Sequence, residues 1–187
     1  SGQRYDFNAP PLKPKEEFTA ITTRLLEREG YYREYELSEE FLRELQTVVE
    51  LAQTHDIELK LFISPTHATL MESLWMKGLS PQYEDWKRAV VAIAPVWDFS
   101  GYNSITTEPL SKRMENYVDT SHYSSAVGDL ILSQILDGDS SSELPDDFGV
   151  WLTPNTLESH FDQIAMERAQ WLQTSAQELE FVYQPSY

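Results

Sequence analysis

Residues 57–64, IELKLFIS, decide the fold class, together with the turn and the stretch HATLMESLWMKG (67–78) that follow them. The first run is short, largely apolar and closed by Pro65, which predicts a buried strand. Upstream, Ser38 precedes Glu39 and Glu40, a helix start with acidic residues in its first turn. The apolar set Phe41, Leu42, Leu45, Val48, Val49 and Ala52 then recurs at the spacing of one helix face. Helix, short loop and strand make half of an α/β unit.

Working outward, 67–78 predicts another helix. SPQYEDWKRAVVAIA (80–94) predicts a stronger one, with Pro81 in its first turn and Trp86, Val90 and Ile93 facing inward. VWDFS (96–100) reads as a second strand. The stretch 101–119 has no period and is long for a connection, a length often associated with function. A helix over 123–136 carries Val127, Leu130, Ile131 and Ile135. Residues 1–14 read as an extended lead-in, and 15–29 as a helix ended by Gly30. Residues 138–149 read as a polar linker, and 150–187 as a helical tail that packs back on the core or reaches toward a partner. The expected fold is therefore α/β and helix-rich, its main body spanning 15–137 around a small parallel sheet.

Composition narrows the function. The chain has 187 residues, 41% of them hydrophobic, enough for one domain with a proper core. Its formal net charge is −17. Nucleic acid is a poor partner, because phosphate binding needs a basic surface, and anionic lipid is disfavoured for the same reason. There is no cysteine, hence no disulfide, thiolate nucleophile or zinc–thiolate site. No phosphate loop or dinucleotide fingerprint occurs. The acidic run with Asp137, Asp139, Asp146 and Asp147 lacks the ligand alternation of a calcium loop. No cofactor and no metal are expected. The sequence opens on Ser1 and Gly2 without an initiator methionine, and reads as an excised piece.

One pair carries chemistry. In NYVDTSHYSSAVGDLILSQIL (116–136), Asp119 and His122 stand three apart just ahead of a helical pattern. In serine hydrolases a histidine takes the nucleophile's proton while a carboxylate holds the ring in the right tautomer. The bland alternative is that Asp119 caps the helix and His122 lies on the surface. His67 follows the end of a strand, the edge where α/β sheets bind ligands. It either lines the same cleft or caps the next helix. In GYNS (101–104), Tyr102 and Asn103 are candidate cleft-lining groups, Asn103 a candidate oxyanion donor and Ser104 a candidate nucleophile. A plain turn is the competing reading. His55 reads as structural, at a helix end, and His160 has no partner visible in sequence.

The blocks ISPTHA, YEDWKRAVV, DFSGYNSITTEP, VDTSHYSSAVGDLIL and FGVWLTPNTLESHFDQIAMER follow one another in order over residues 38–170. Together they resemble the C-terminal half of the SGNH (GDSL-like) hydrolase and acyltransferase superfamily, in a bacterial branch associated with cell-surface polysaccharides. The resemblance implies a part of a three-layer, flavodoxin-like fold. It implies that Asp119 orients His122 and that His122 is the general base. It also implies ester hydrolysis or O-acyl transfer on an acylated carbohydrate, in a periplasmic or membrane-anchored extracytoplasmic setting. The family carries its nucleophile in a Gly-Asp-Ser block after an early strand, and no such block occurs here. The chain alone is therefore expected to be inactive, its serine supplied from outside this sequence. An open sheet edge is expected to be buried either in a homodimer or under the tail helix. The rival reading is a non-catalytic interaction domain.

Overall fold

The computed structural model describes Phe18, residues 20–22, 35–137 and 144–183, the Phe181 side chain excepted. The lead-in 1–14, most of the helix expected over 15–29 and residues 138–143 lie outside the described residues.

In chain order the elements are α1 (Glu39–Thr54), β1 (Phe62–Ile63), α2 (Ala68–Met76), α3 (Ser80–Ile93), β2 (Val96–Asp98), α4 (Ser125–Asp137), β3 (Val150–Leu152), α5 (Leu157–Thr174) and α6 (Ala176–Tyr183). Ser38 caps α1 as its sequence predicts, its hydroxyl accepting from the Phe41 N–H at 3.3 Å. His67 occupies the same position at α2, and Pro81 lies in the first turn of α3.

The chain is a mixed α/β protein, its described residues built around a three-stranded sheet of order β1-β2-β3. β1 and β2 are parallel, Phe62 facing Trp97 and Ile63 facing Asp98. β3 is antiparallel to β2, with Trp151 opposite Trp97. The sheet is therefore mixed rather than purely parallel. Its third strand comes from the stretch read as tail, because VWL is too short to announce itself as a strand.

Alternation along the strands sorts the layers. Ile63, Val96 and Leu152 point to one face, where α1, α3 and α5 cover them with Leu42, Leu45, Trp86, Val90, Leu157 and Phe161. Trp97 and Phe99 point to the other face and meet Val127, Ile131 and Ile135 of α4, together with Phe148. A third cluster, with Ala68, Met71, Ile164 and Trp171, fixes α2 against α5. The expected stripe of α1 is only half covered, with Val49 and Ala52 buried but Phe41 71% and Val48 50% exposed.

Residues 144–149 lead tightly into β3. Phe148 is buried against Phe99, their ring centroids 4.9 Å apart. Gly149 has φ +97°, and a Cβ there would stand 2.6 Å from the Phe99 ring. Glycine is required on both counts.

Two buried ionic groups tie the helices to this frame. On the α3 side, the Lys87 ammonium pairs with Asp98 and donates to Ser100 Oγ at 2.9 Å, while His160 Nε2 meets Asp98 Oδ2 at 2.9 Å. Burial raises the pKa of Asp98, but Lys87 and then His160 outweigh it and hold the carboxyl well below the usual range. Between α2 and the C-terminal helices, buried Glu72 accepts from Arg168 Nε at 2.8 Å, Arg168 Nη2 at 2.7 Å and the Tyr183 hydroxyl at 2.8 Å. The C-terminal segment thus packs back on the core.

Candidate active site

The Asp-x-x-His segment is held by a short hairpin ahead of α4. A bridge between Tyr117 and Tyr123 closes it, and the Val118 N–H donates to the His122 carbonyl at 2.8 Å. The turn after β1 braces it from below. The His67 N–H donates to the Thr120 carbonyl at 2.9 Å, and the Ala68 N–H to the Thr106 carbonyl at 2.8 Å. Thus the end of β1 and the Asp119–His122 turn form one hydrogen-bonded unit.

At the tip, Asp119 is 2% exposed while the His122 side chain is 49% exposed. The two Asp119 oxygens divide their work. Oδ1 accepts from the Ser121 N–H at 2.8 Å, the Ser121 hydroxyl at 3.0 Å and the His122 N–H at 2.9 Å. Oδ2 meets His122 Nδ1 at 2.7 Å. The carboxylate therefore folds its own turn and grips the ring, in place of capping α4. With Nδ1–H donating to Asp119, Nε2 carries the lone pair and is the nitrogen able to take a proton. The ring stands at an open cleft of about 520 Å³ lined by Ser64, Ser121, Tyr123, Ser124, Ser125 and Gly128.

The other sequence candidates go elsewhere. His67 is fully buried, not cleft-lining. Its Nδ1 accepts from the Thr69 N–H at 3.2 Å and the Thr69 hydroxyl at 2.8 Å, and its Nε2 donates to the Glu108 carbonyl at 2.8 Å. Burial pushes its pKa down to about 4, so the ring is a neutral helix cap. Tyr102 is buried, its ring 5.4 Å from that of Trp171 and its hydroxyl 3.3 Å from Glu72. Asn103 is buried too. Its Oδ1 accepts from the Ile105 and Thr106 N–H groups at 3.1 and 2.9 Å, and its Nδ2 donates to the Phe99 carbonyl at 3.1 Å. Both ends are engaged inside the turn, and the buried amide does not line the His122 cleft. Ser104 is exposed, but its hydroxyl and N–H both bind Asp147, at 2.6 and 2.7 Å. Among the described residues, Ser121 brings its hydroxyl to 3.2 Å from His122 Nδ1, the nitrogen already turned to Asp119.

Sequence reasoning missed Ser64, which opens on the His122 cleft. Its signal was positional, since it is the residue just past β1 at the carboxyl edge of a parallel pair. Among the described residues, no group of three or more His, Asp or Glu side chains is arranged to hold a metal ion. Compared with known proteins, the chain matches no family model, no curated protein and no solved structure.

Proposed function

We propose that Asp119 and His122 are the orienting acid and general base of an acyl-transfer site. The reaction is hydrolysis of an ester or passage of an acyl group to a hydroxyl, with an acylated carbohydrate as the substrate class and SGNH-like chemistry. The observation that carries this reading is the 2.7 Å contact between a buried carboxylate and Nδ1 of a half-exposed imidazole at an open cleft. In that arrangement Nε2 accepts the proton of an attacking hydroxyl, and the carboxylate stabilises the imidazolium that forms. The base then returns the proton to the leaving alkoxide. An attacking serine supplied from outside this sequence is supported by the lack of a Gly-Asp-Ser block in it and by the commitment of Ser104 to Asp147.

The test is p-nitrophenyl acetate turnover by the 187-residue chain alone and by the longest product its gene encodes. The chain alone is expected to match buffer. An activity in the longer product is expected to fall by about two to four powers of ten in His122→Ala. Turnover by the chain alone that His122→Ala abolishes would overturn the external nucleophile. An activity in the longer product that ignores His122→Ala would overturn the base assignment.

A further inference from the structure

A largely apolar groove lies beside the candidate site rather than in it. It has a volume of about 390 Å³ and runs between α1 and β1, lined by Phe41, Leu42, Leu45, Leu61, Phe62 and Trp86 among others. Phe41 is 71% exposed and Phe62 42% exposed. The groove follows the edge of β1 that has no strand beside it among the described residues; on its other side β1 pairs with β2. The ladder fixes which backbone groups are free to accept a partner. The Leu61 and Ile63 carbonyls accept from Trp97 and Phe99, so the N–H and C=O of Phe62 between them face the open edge. A parallel strand is normally covered on both edges and both faces; among the described residues, β1 has a strand beside only one edge.

Topology says what fits. α1 and α3 pack against each other on the same face of the sheet. β1 reaches its parallel neighbour β2 through α2 and α3, and such crossovers are right-handed. By the same handedness, the position beside β1 away from β2, with α1 on the same face, is one that suits a strand parallel to β1. Charge defines its chemistry. Residues 35–60, which frame the groove, hold seven carboxylates against Arg43 and Lys60, and those two cations are already paired with Glu39 and Glu58. A second copy would bring the same acidic frame and another net −17 to the contact, which Coulomb repulsion opposes.

We propose that the open edge of β1 and its apolar groove receive a parallel β-strand from a polypeptide that is basic on either side of that strand. Main-chain bonds to Phe62 give the pairing, and alternate apolar side chains fill the groove. Ile63 lines the groove and Ser64 lines the His122 cleft. A strand paired here therefore ends at that cleft, which makes this surface the route by which a partner segment reaches the proposed base. Only this last consequence rests on the acyl-transfer reading; the pairing itself does not.

The probe is a synthetic peptide of about six alternating Val and Thr residues, a common strand length, with Lys-Arg at both ends. A second peptide carries Glu-Glu ends. Binding to the isotopically labelled chain is followed by amide shifts. The basic peptide is expected to move the signals of 41–45 and 61–64, to weaken as salt is added, and to bind at least about tenfold better than the acidic one. Phe62→Pro removes the open-edge N–H and is tolerated on an edge strand; it should weaken binding by about tenfold or more. Phe41→Ser, at an exposed position, should weaken it without touching the ladder. His122→Ala should leave it unchanged, so failure here is separable from failure of the base assignment. No binding, equal binding of both peptides, or binding indifferent to both Phe62→Pro and Phe41→Ser would overturn the proposal. So would sedimentation as a dimer that Phe62→Pro splits, since the edge would then belong to a second copy.

Discussion

Each histidine of the described core is set by its partner and its burial. His122 shares a carboxylate with solvent nearby, whereas His67 is sealed between Phe18 and Tyr117, with ring centroids 5.0 and 5.2 Å away. Its pKa falls to about 4 in the folded chain, against about 6.5 when unfolded. Between those values the unfolded chain binds the extra proton. The stability tied to a neutral His67 is thus present above about pH 6.5 and drains away as the pH falls toward 4, by about 3 kcal/mol in all. Urea titrations over this window should show that loss. His67→Asn keeps an oxygen for the α2 cap, and should be less stable at neutral pH but show a shallower slope on acidification. An unchanged slope would show that His67 does not titrate as its burial demands.

At the scale of elements, local pattern was legible and long-range pairing was not. The Ser38 cap, the run of α3, the inward set of α4 and the Asp119–His122 pair could all be read within a few residues. The Lys87–Asp98–His160 group could not, because its members come from α3, β2 and α5 and only the fold brings them together. The same holds for Asp147, whose grip on Ser104 spans the gap between two loops. His67 and Asn103 were ambiguous for a different reason, since capping and ligand binding ask for the same side chains at a strand end. The strand expected over 57–64 shrinks to two paired residues because only β2 lies beside it among the described residues. The buried ionic group gives this scale its prediction. Lys87→Met leaves Asp98 buried with His160 and Ser100 as its remaining side-chain partners, and should cost about 3–5 kcal/mol in urea unfolding. A loss under about 1 kcal/mol would mean that water or rearrangement replaces the ammonium.

For the whole molecule, the third strand decides how the parts close. β3 brings the C-terminal helices back over the sheet, and Gly149 sets the entry angle. Gly149→Ala combines a left-handed backbone with a methyl group driven into Phe99. It should cost about 2 kcal/mol or more and lower Tm by about 4–8 °C in a chain of this size. A neutral substitution would show that β3 docks without that turn. The acidic surface and the apolar groove belong to this scale too. The first opposes self-association through Coulomb repulsion, and the second is where we propose that a strand of opposite charge pairs.

The proposed base chemistry turns on which nitrogen of His122 carries the proton. Imidazole nitrogen shifts of the chain, recorded well above the ordinary histidine value of about 6.5, report this without any substrate. The geometry predicts a protonated Nδ1 bound to Asp119 and a lone pair on Nε2, with Asp119→Asn disturbing that tautomer. A ring protonated at Nε2 in the unaltered chain, or one indifferent to Asp119→Asn, would contradict it.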